Sequence, residues 1–312
     1  MTARIVPGTA NRPLAGGVGA ALGTEVVPCE VTRFPDGELR PIVGDVRGED
    51  VYVVQPTGPA VNEHLVELLL LLDACRRGGA GRVTAVVPYF GYARQDRRGQ
   101  AGEAVGGRVM ADVLATAGAQ RLIVVDPHTA ALEAMCGVPA EMLTAVPVLA
   151  EALTAMAIPD EAILVAPDLG AVKLAEHYAA LLHRPVAVVR KTRLTGTAVQ
   201  ADEIIGTVEG RPAVIVDDMI STGGTIEAAI RVLLAHGATP DIVVAATHGL
   251  LVADAADRLG CLPIRRLIVT DTVMPIPAPD LSVQVRPVAT LLAEAIGRAH
   301  QNKPLDDLMM RT

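Results

Sequence analysis

Short β-branched runs alternate along the whole chain with segments of helical period, and this alternation narrows the fold more than any other feature. Val51–Gln55, Val83–Val87, Leu122–Asp126, Ile163–Ala166, Val186–Val189, Ala213–Val216, Ile242–Ala246 and Leu267–Val269 read as strands. Between them Val61–Arg77, Val105–Ala117, Val172–Leu182 and Thr225–His236 read as helices. Such an order gives βαβ units around mainly parallel sheets. The strand runs are mostly apolar, as strands covered by helices on both faces are. Apolar residues make up 51% of the chain and aromatic residues 2%, with no Trp. The cores are therefore expected to be built from Ala, Val, Leu and Ile, and the apolar fraction excludes a disordered chain. So few aromatics argue against a stacking platform for single-stranded nucleic acid.

A chain of 312 residues suits two domains of roughly 150 residues each. A weak repeat agrees: the run from Ala117-Gly118-Ala119 into Leu122–Val125 lines up with His236-Gly237-Ala238 leading into Ile242–Val244. Each reads as a helix-capping glycine feeding a buried strand, a junction common enough that duplication is left open. The segment Glu141–Pro147 is the expected boundary, giving domains over residues 1–144 and 145–287. The final helix, Val288–His300 within the stretch from about 288 to 312, follows Pro287 and is free to pack on either half, including back on the first.

With 27 basic against 35 acidic residues the net charge is −8, which argues against a nucleic-acid or anionic-membrane partner. An anionic substrate must then be met by local charge. Cys29, Cys75, Cys136 and Cys261 form no CxxC pair and read as free thiols of a reducing compartment. The N-terminus lacks a long apolar run, and Leu65–Leu72 is interrupted by Glu67 and too short to span a bilayer. The expected location is the cytoplasm.

The sharpest segment is Val214-Ile215-Val216-Asp217-Asp218-Met219-Ile220-Ser221-Thr222-Gly223-Gly224-Thr225: a buried strand, two carboxylates at its end, then a small-residue loop opening a helix. Exposed amides and hydroxyls at a helix start suit a phosphate, and the paired carboxylates suit ribose hydroxyls or a metal. An ordinary strand-to-helix turn with the acids as caps is the bland alternative. Arg33-Phe34-Pro35-Asp36-Gly37-Glu38 reads as a turn whose ring could stack on a base and whose acids could accept its amino hydrogens, or as a plain surface turn. Arg94-Gln95-Asp96-Arg97-Arg98 concentrates guanidinium groups suited to phosphate oxygens, or forms a solvated basic loop. His128 in Asp126-Pro127-His128 and Asp168 in Ala166-Pro167-Asp168-Leu169-Gly170 both end strands, where a capping role competes with ligand binding. Arg190-Lys191-Thr192-Arg193-Leu194-Thr195-Gly196-Thr197 is cationic and hinged by glycine, as a closing loop or a simple hairpin loop would be.

Asp217–Thr225 resembles the ribose-5-phosphate loop shared by phosphoribosyltransferases and ribose-phosphate pyrophosphokinases. Arg33–Glu38, Pro88–Arg97 and the sugar loop taken with Thr247-His248-Gly249 resemble the second family, and the likeness runs from about Arg33 to His300. It implies two tandem phosphoribosyltransferase-like α/β domains, each with a mainly parallel sheet flanked by helices. It implies transfer of a diphosphoryl group from ATP to ribose 5-phosphate, dependent on Mg²⁺. Phe34, Asp36, Glu38, Arg94, Gln95, Asp96 and His128 would bind ATP, with the 34–38 loop reaching a neighbouring subunit's ATP in a homo-oligomer. His128 and Asp168 would ligate Mg²⁺. Asp217, Asp218, Ser221, Thr222, Gly223, Gly224 and Thr225 would bind ribose 5-phosphate, and Lys191 and Arg193 would stabilise the transferring group. A phosphoribosyltransferase, or a catalytically silent regulatory relative, are the alternatives. Residues Gly99–Gly107 and the Ser221-Thr222-Gly223-Gly224 form of the sugar loop depart from the usual bacterial pattern.

Overall fold

The structure is a computed structural model that describes residues 1–193 and 200–310, with the side chains of 191–202 outside the described set. It divides into two compact units. The first holds Met1–Thr144, Thr272–Met274 and the C-terminal segment that begins at Pro287; the second holds Ala145–Asp271 and Pro275–Arg286.

In the first unit β1 (Ala3–Pro7) leads into α1 (Arg12–Leu22), a two-stranded hairpin of β2 (Cys29–Arg33) and β3 (Leu39–Val43), then β4 (Asp50–Val54). Next come α2 (Val61–Arg77), β5 (Arg82–Val87), α3 (Gly106–Ala117), β6 (Arg121–Val125), α4 (Leu132–Met135) and β7 (Ala140–Leu143). The sheet order is β1-β4-β5-β6-β7 with every pair parallel. All five residues of β4 are buried, because a parallel strand sandwiched by helices has no wet face.

The second unit holds α5 (Val146–Ala155), β8 (Ile163–Ala166), α6 (Val172–Leu182), β9 (Val186–Arg193), β10 (Gln200–Ile205), β11 (Ala213–Ile220) and α7 (Gly224–Ala235). These are followed by β12 (Ile242–Gly249), α8 (Ala255–Gly260), β13 (Ile264–Thr270) and β14 (Val283–Arg286). Its sheet runs β10-β9-β8-β11-β12-β13-β14, antiparallel at β9·β10 and parallel elsewhere. The last helix, α9 (Ala289–His300), packs on α1 in the first unit, where small residues let the two approach: a Cβ added to Gly17 would lie 3.1 Å from Ala289 Cβ.

The repeated glycine junction is the same in both units. Gly118 donates to Ala115 and Ala119 to Leu114; Gly237 donates to Leu234 and Ala238 to Leu233, and both glycines have positive φ. The expected aliphatic cores are present, with one qualification: Tyr52 and Tyr178 are fully buried. The four cysteines are free thiols. Among the described residues no helix is long and apolar enough to cross a membrane.

Tyr52 belongs to a buried polar cluster that ties α9 to the sheet. Asp50, wholly inaccessible, accepts from Tyr52 Oη at 3.0 Å and Arg82 Nε at 2.8 Å, pairs with Arg82 Nη2, and meets His300 Nδ1 at 2.6 Å. Burial pushes the Asp50 carboxyl up, but the hydrogen bonds from Arg82, His300 and Tyr52 outweigh it and leave the group below its ordinary range. Removing one member of such a cluster strands buried charge, so Asp50→Ala should destabilise the first unit by about 3–5 kcal/mol, read from denaturant melts. A depressed carboxyl contributes stability above its unfolded pKa and loses it as pH falls, so the difference between the two proteins should shrink below about pH 4.

Candidate active site

The second unit's site begins with a mismatch of strand lengths. The ladder between β11 and β8 ends at Ile215↔Val165, whereas β11 continues to pair with β12 as far as Ile220↔Gly249. Asp217 and Asp218 sit on this overhang, partly buried. Asp168 lies in the turn after β8, where its Oδ1 accepts the amides of Gly170 at 2.8 Å and Ala171 at 3.2 Å in an Asx turn before α6. It therefore closes the turn ahead of α6 without capping the helix itself, and it also acts on Asp217. Burial, then the charge of Asp218, then that of Asp168 push the Asp217 carboxyl up to about 9, against the pull of the Asp218 amide, which donates to Asp217 Oδ1 at 2.9 Å. The overhang thus groups acids that cannot all ionise together in these surroundings. Among the described residues no three His, Cys, Asp or Glu side chains are grouped as a metal-ligand cluster.

Beyond the acids the chain turns through Ser221 and Thr222 into α7. Gly223 caps that helix with φ of +76°, which favours glycine, and as a glycine it offers no side chain to the first-turn amides. This contrasts with α1, where Asn11 Oδ1 accepts from Leu14. An uncapped helix start leaves several N–H groups and the positive end of the helix dipole for an anion. Thr247 and His248, buried at the end of β12, line up beside this stretch, with His248 opposite Met219.

In the first unit Phe34, Asp36 and Glu38 form the exposed tip of the β2–β3 hairpin. The Phe34 amide donates to Glu38 at 2.9 Å, Gly37 has φ of +99°, and Phe34 is 45% exposed with the Arg40 guanidinium 5.9 Å from its ring centre. Arg33 pairs with Glu63 on α2, a tie that the sequence does not announce. After β5, Tyr89 and Phe90 are buried and Thr57 fixes the turn, its Oγ1 donating to Tyr89 O at 3.1 Å and accepting from Gly91 N at 2.7 Å. Arg94 and Gln95 are exposed and Asp96 is half-buried. A Cβ on Gly106 would lie 3.0 Å from Tyr92 Cδ1, so α3 starts close against the turn. His128 is exposed, two residues after Asp126, whose φ is +36°.

Lys191 and Arg193 require a correction of place. The sequence reading ended the strand at Val189, but β9 runs to Arg193 because β10 pairs with it, Lys191↔Asp202 and Arg193↔Gln200. Polar, cationic composition hid a strand that exists through its antiparallel partner. The Lys191 and Arg193 side chains, and residues 194–199, lie outside the described residues.

Comparison with known proteins fits this geometry. The chain is 38% identical over 310 residues to a ribose-phosphate pyrophosphokinase of Caldanaerobacter subterraneus subsp. tengcongensis, covering 98% of this chain and 97% of that protein. This chain belongs to the ribose-phosphate pyrophosphokinase family. A ribose-phosphate pyrophosphokinase of Rhodopirellula baltica is 40% identical over 311 residues, covering 98% of each chain. Residues 3–118 match the N-terminal domain of ribose phosphate pyrophosphokinase, and residues 198–310 match the phosphoribosyl synthetase-associated domain. A phosphoribosylpyrophosphate synthetase from Mycobacterium smegmatis superposes with a TM-score of 0.89 at 34% identity, covering 97% of this chain and all of that one.

The electrostatics of Asp217 give a test that needs no turnover. A carboxyl held at about 9 in the folded chain keeps a proton that the unfolded chain releases near pH 4, so stability falls as pH rises between those values. Asp217→Asn should raise the ligand-free melting temperature at pH 8 by a few degrees and flatten its decline from pH 5 to 9. An unchanged melting profile would mean that the Asp217 carboxyl is not held up in this way.

Proposed function

We propose that the chain transfers the β,γ-diphosphoryl group of ATP to the anomeric hydroxyl of ribose 5-phosphate, giving 5-phosphoribosyl 1-diphosphate and AMP. The C1 oxygen attacks the β-phosphorus, the bond from that phosphorus to the oxygen bridging it to the α-phosphorus breaks, and AMP departs with that oxygen. The observation that carries the reading is the β11–α7 junction, where two adjacent carboxylates lead directly into an uncapped helix start. Asp217 and Asp218 accept hydrogen bonds from ribose hydroxyls, and the 221–225 loop takes the 5-phosphate on its amides and on the Ser221, Thr222 and Thr225 hydroxyls, with Gly223 and Gly224 allowing close approach.

For the nucleotide, Phe34 offers a ring face to the adenine while Asp36 and Glu38 accept from its amino group, and Arg94, Gln95 and Asp96 orient the phosphate end. The exposure of the hairpin tip supports a homo-oligomer in which this loop completes a neighbouring subunit's ATP site. Mg²⁺ is the proposed cofactor. Acids grouped around Asp217 whose ionised forms are disfavoured suit a divalent cation, which would favour those forms while taking few protein ligands and filling the rest of its shell with phosphates and water. Asp168 in the second unit and, separately, His128 in the first are each proposed as ligands for it, and when bound it would neutralise phosphate charge. Lys191 and Arg193 meet the negative charge that moves during transfer. Four free thiols and the acidic net charge support a cytoplasmic enzyme acting on small molecules.

The reading is tested by AMP formation, which should require ATP and ribose 5-phosphate together. A protein that binds both and makes no AMP would be a silent relative. Lys191→Ala or Arg193→Ala should lower kcat by on the order of 10²-fold with little change in ribose 5-phosphate affinity. Asp218→Ala should weaken ribose 5-phosphate far more than ATP, and calorimetry giving the opposite order would reassign the turn to the nucleotide.

A further inference from the structure

We infer that Arg258 on α8 is a positioning residue for the 221–225 loop, acting by neutralising Glu227 in the first turn of α7. The inference rests on the reading of that loop as the ribose 5-phosphate site.

Glu227 lies in the turn whose amides face the proposed phosphate. An acid near a helix start helps the helix, but an uncompensated carboxylate there would repel a phosphate dianion. Two arginines answer it. Arg231 Nη2 and Nε reach Glu227 Oε1 at 2.7 and 3.2 Å from the next turn of the same helix, with a side chain 72% exposed. Arg258 comes from a different element, is 34% exposed, and donates to Glu227 Oε2 at 2.9 Å and to Asp254 Oδ2 at 2.9 Å. Together they hold the Glu227 carboxyl below its ordinary range, with Arg231 the larger influence. Only Arg258 also fixes α7 to a neighbouring segment.

That segment grips the loop in two further ways. The amides of Leu251 and Val252 donate to the carbonyls of Ile220 and Ser221, both at 3.0 Å, carrying backbone pairing past the end of β11 and onto the loop. Leu251 and Ala253 hold φ of +43° and +55°, a conformation that non-glycine residues keep only where surroundings impose it. Beneath the loop Leu259 is fully buried, and a Cβ on Gly223 would lie 3.1 Å from its Cγ, so the loop rests on that side chain. Residues 251–259 therefore supply a backbone clamp, an apolar floor and a charge bridge, and Arg258 is the member whose effect should depend on the charge of the ligand.

The test is calorimetric binding of ribose 5-phosphate, with steady-state kinetics alongside. Arg258→Ala should weaken ribose 5-phosphate and raise its KM by on the order of tenfold, the size of coupling expected between charges in contact, while the KM for ATP stays within about twofold. Arg258→Lys should restore most of the affinity. The double variant Arg258→Ala with Glu227→Gln should restore it as well, because without the acid there is nothing to neutralise. A purely structural role predicts the reverse for that double variant, which removes one more interaction. Arg258→Ala binding ribose 5-phosphate as tightly as the unaltered protein, or a loss that Glu227→Gln deepens, overturns the inference alone. An unaltered protein that binds no ribose 5-phosphate overturns both the inference and the functional reading.

Discussion

A strand buried on both faces can present a carboxylate only where its ladder runs out, and the second unit is organised around one such place. Because β8 stops at Ala166 while β11 runs to Ile220, the two acids of β11 emerge at a sheet edge in the middle of the sheet. The overhang brings Asp168 into electrostatic reach of Asp217 and delivers the chain to Gly223 at the angle from which α7 can begin. Burial of neighbouring acids disfavours their ionised forms, and this is what leaves the site receptive to hydroxyl donors and cations that would favour the carboxylate.

Much of this was legible in the sequence, for identifiable reasons. Val61–Arg77 and Val172–Leu182 appear in the structure with the bounds the periodicity predicts, since their apolar stripes repeat at helical spacing. Strand cores were equally plain, but strand ends were not: Asp217–Ile220, Thr247–Gly249 and Arg190–Arg193 contain polar or glycine residues that break the apolar run, and their extended conformation comes from the neighbours they pair with. Several elements escaped, three of them for identifiable reasons. Glycines at 16, 17 and 19 disguised α1, where Gly17 permits close packing against α9 and Gly19 against Val26. Half-exposed alternation in β2 and β3 is too weak a pattern to announce a hairpin. Helix α5 was hidden because it begins inside the segment Glu141–Pro147 read as the boundary, with Pro147 in its first turn.

The candidate site shows the same division. Acids, glycines and hydroxyls adjacent in sequence could be read directly, because local chemistry dictated them. The parts that hold them in place could not. Glu227 and Arg258 are 31 positions apart, Arg33 meets Glu63 across 30, and neither pair carries a periodic signal. In a chain of net charge −8 such pairs also determine where positive potential survives. Arg82 and Arg298 are committed to Asp50 and Asp307 in the first unit, whereas Arg94 stands exposed on the turn after β5.

The central claim, that the β11–α7 junction receives the 5-phosphate, is tested most directly by amide NMR during titration with ribose 5-phosphate and, in parallel, with ribose. The account predicts saturable shifts of the Thr222–Ile226 amides with ribose 5-phosphate, much smaller ones with ribose, and their loss when Gly223 is replaced by Val. Saturable binding that leaves those amides unmoved, or that shifts them equally with ribose, would contradict it.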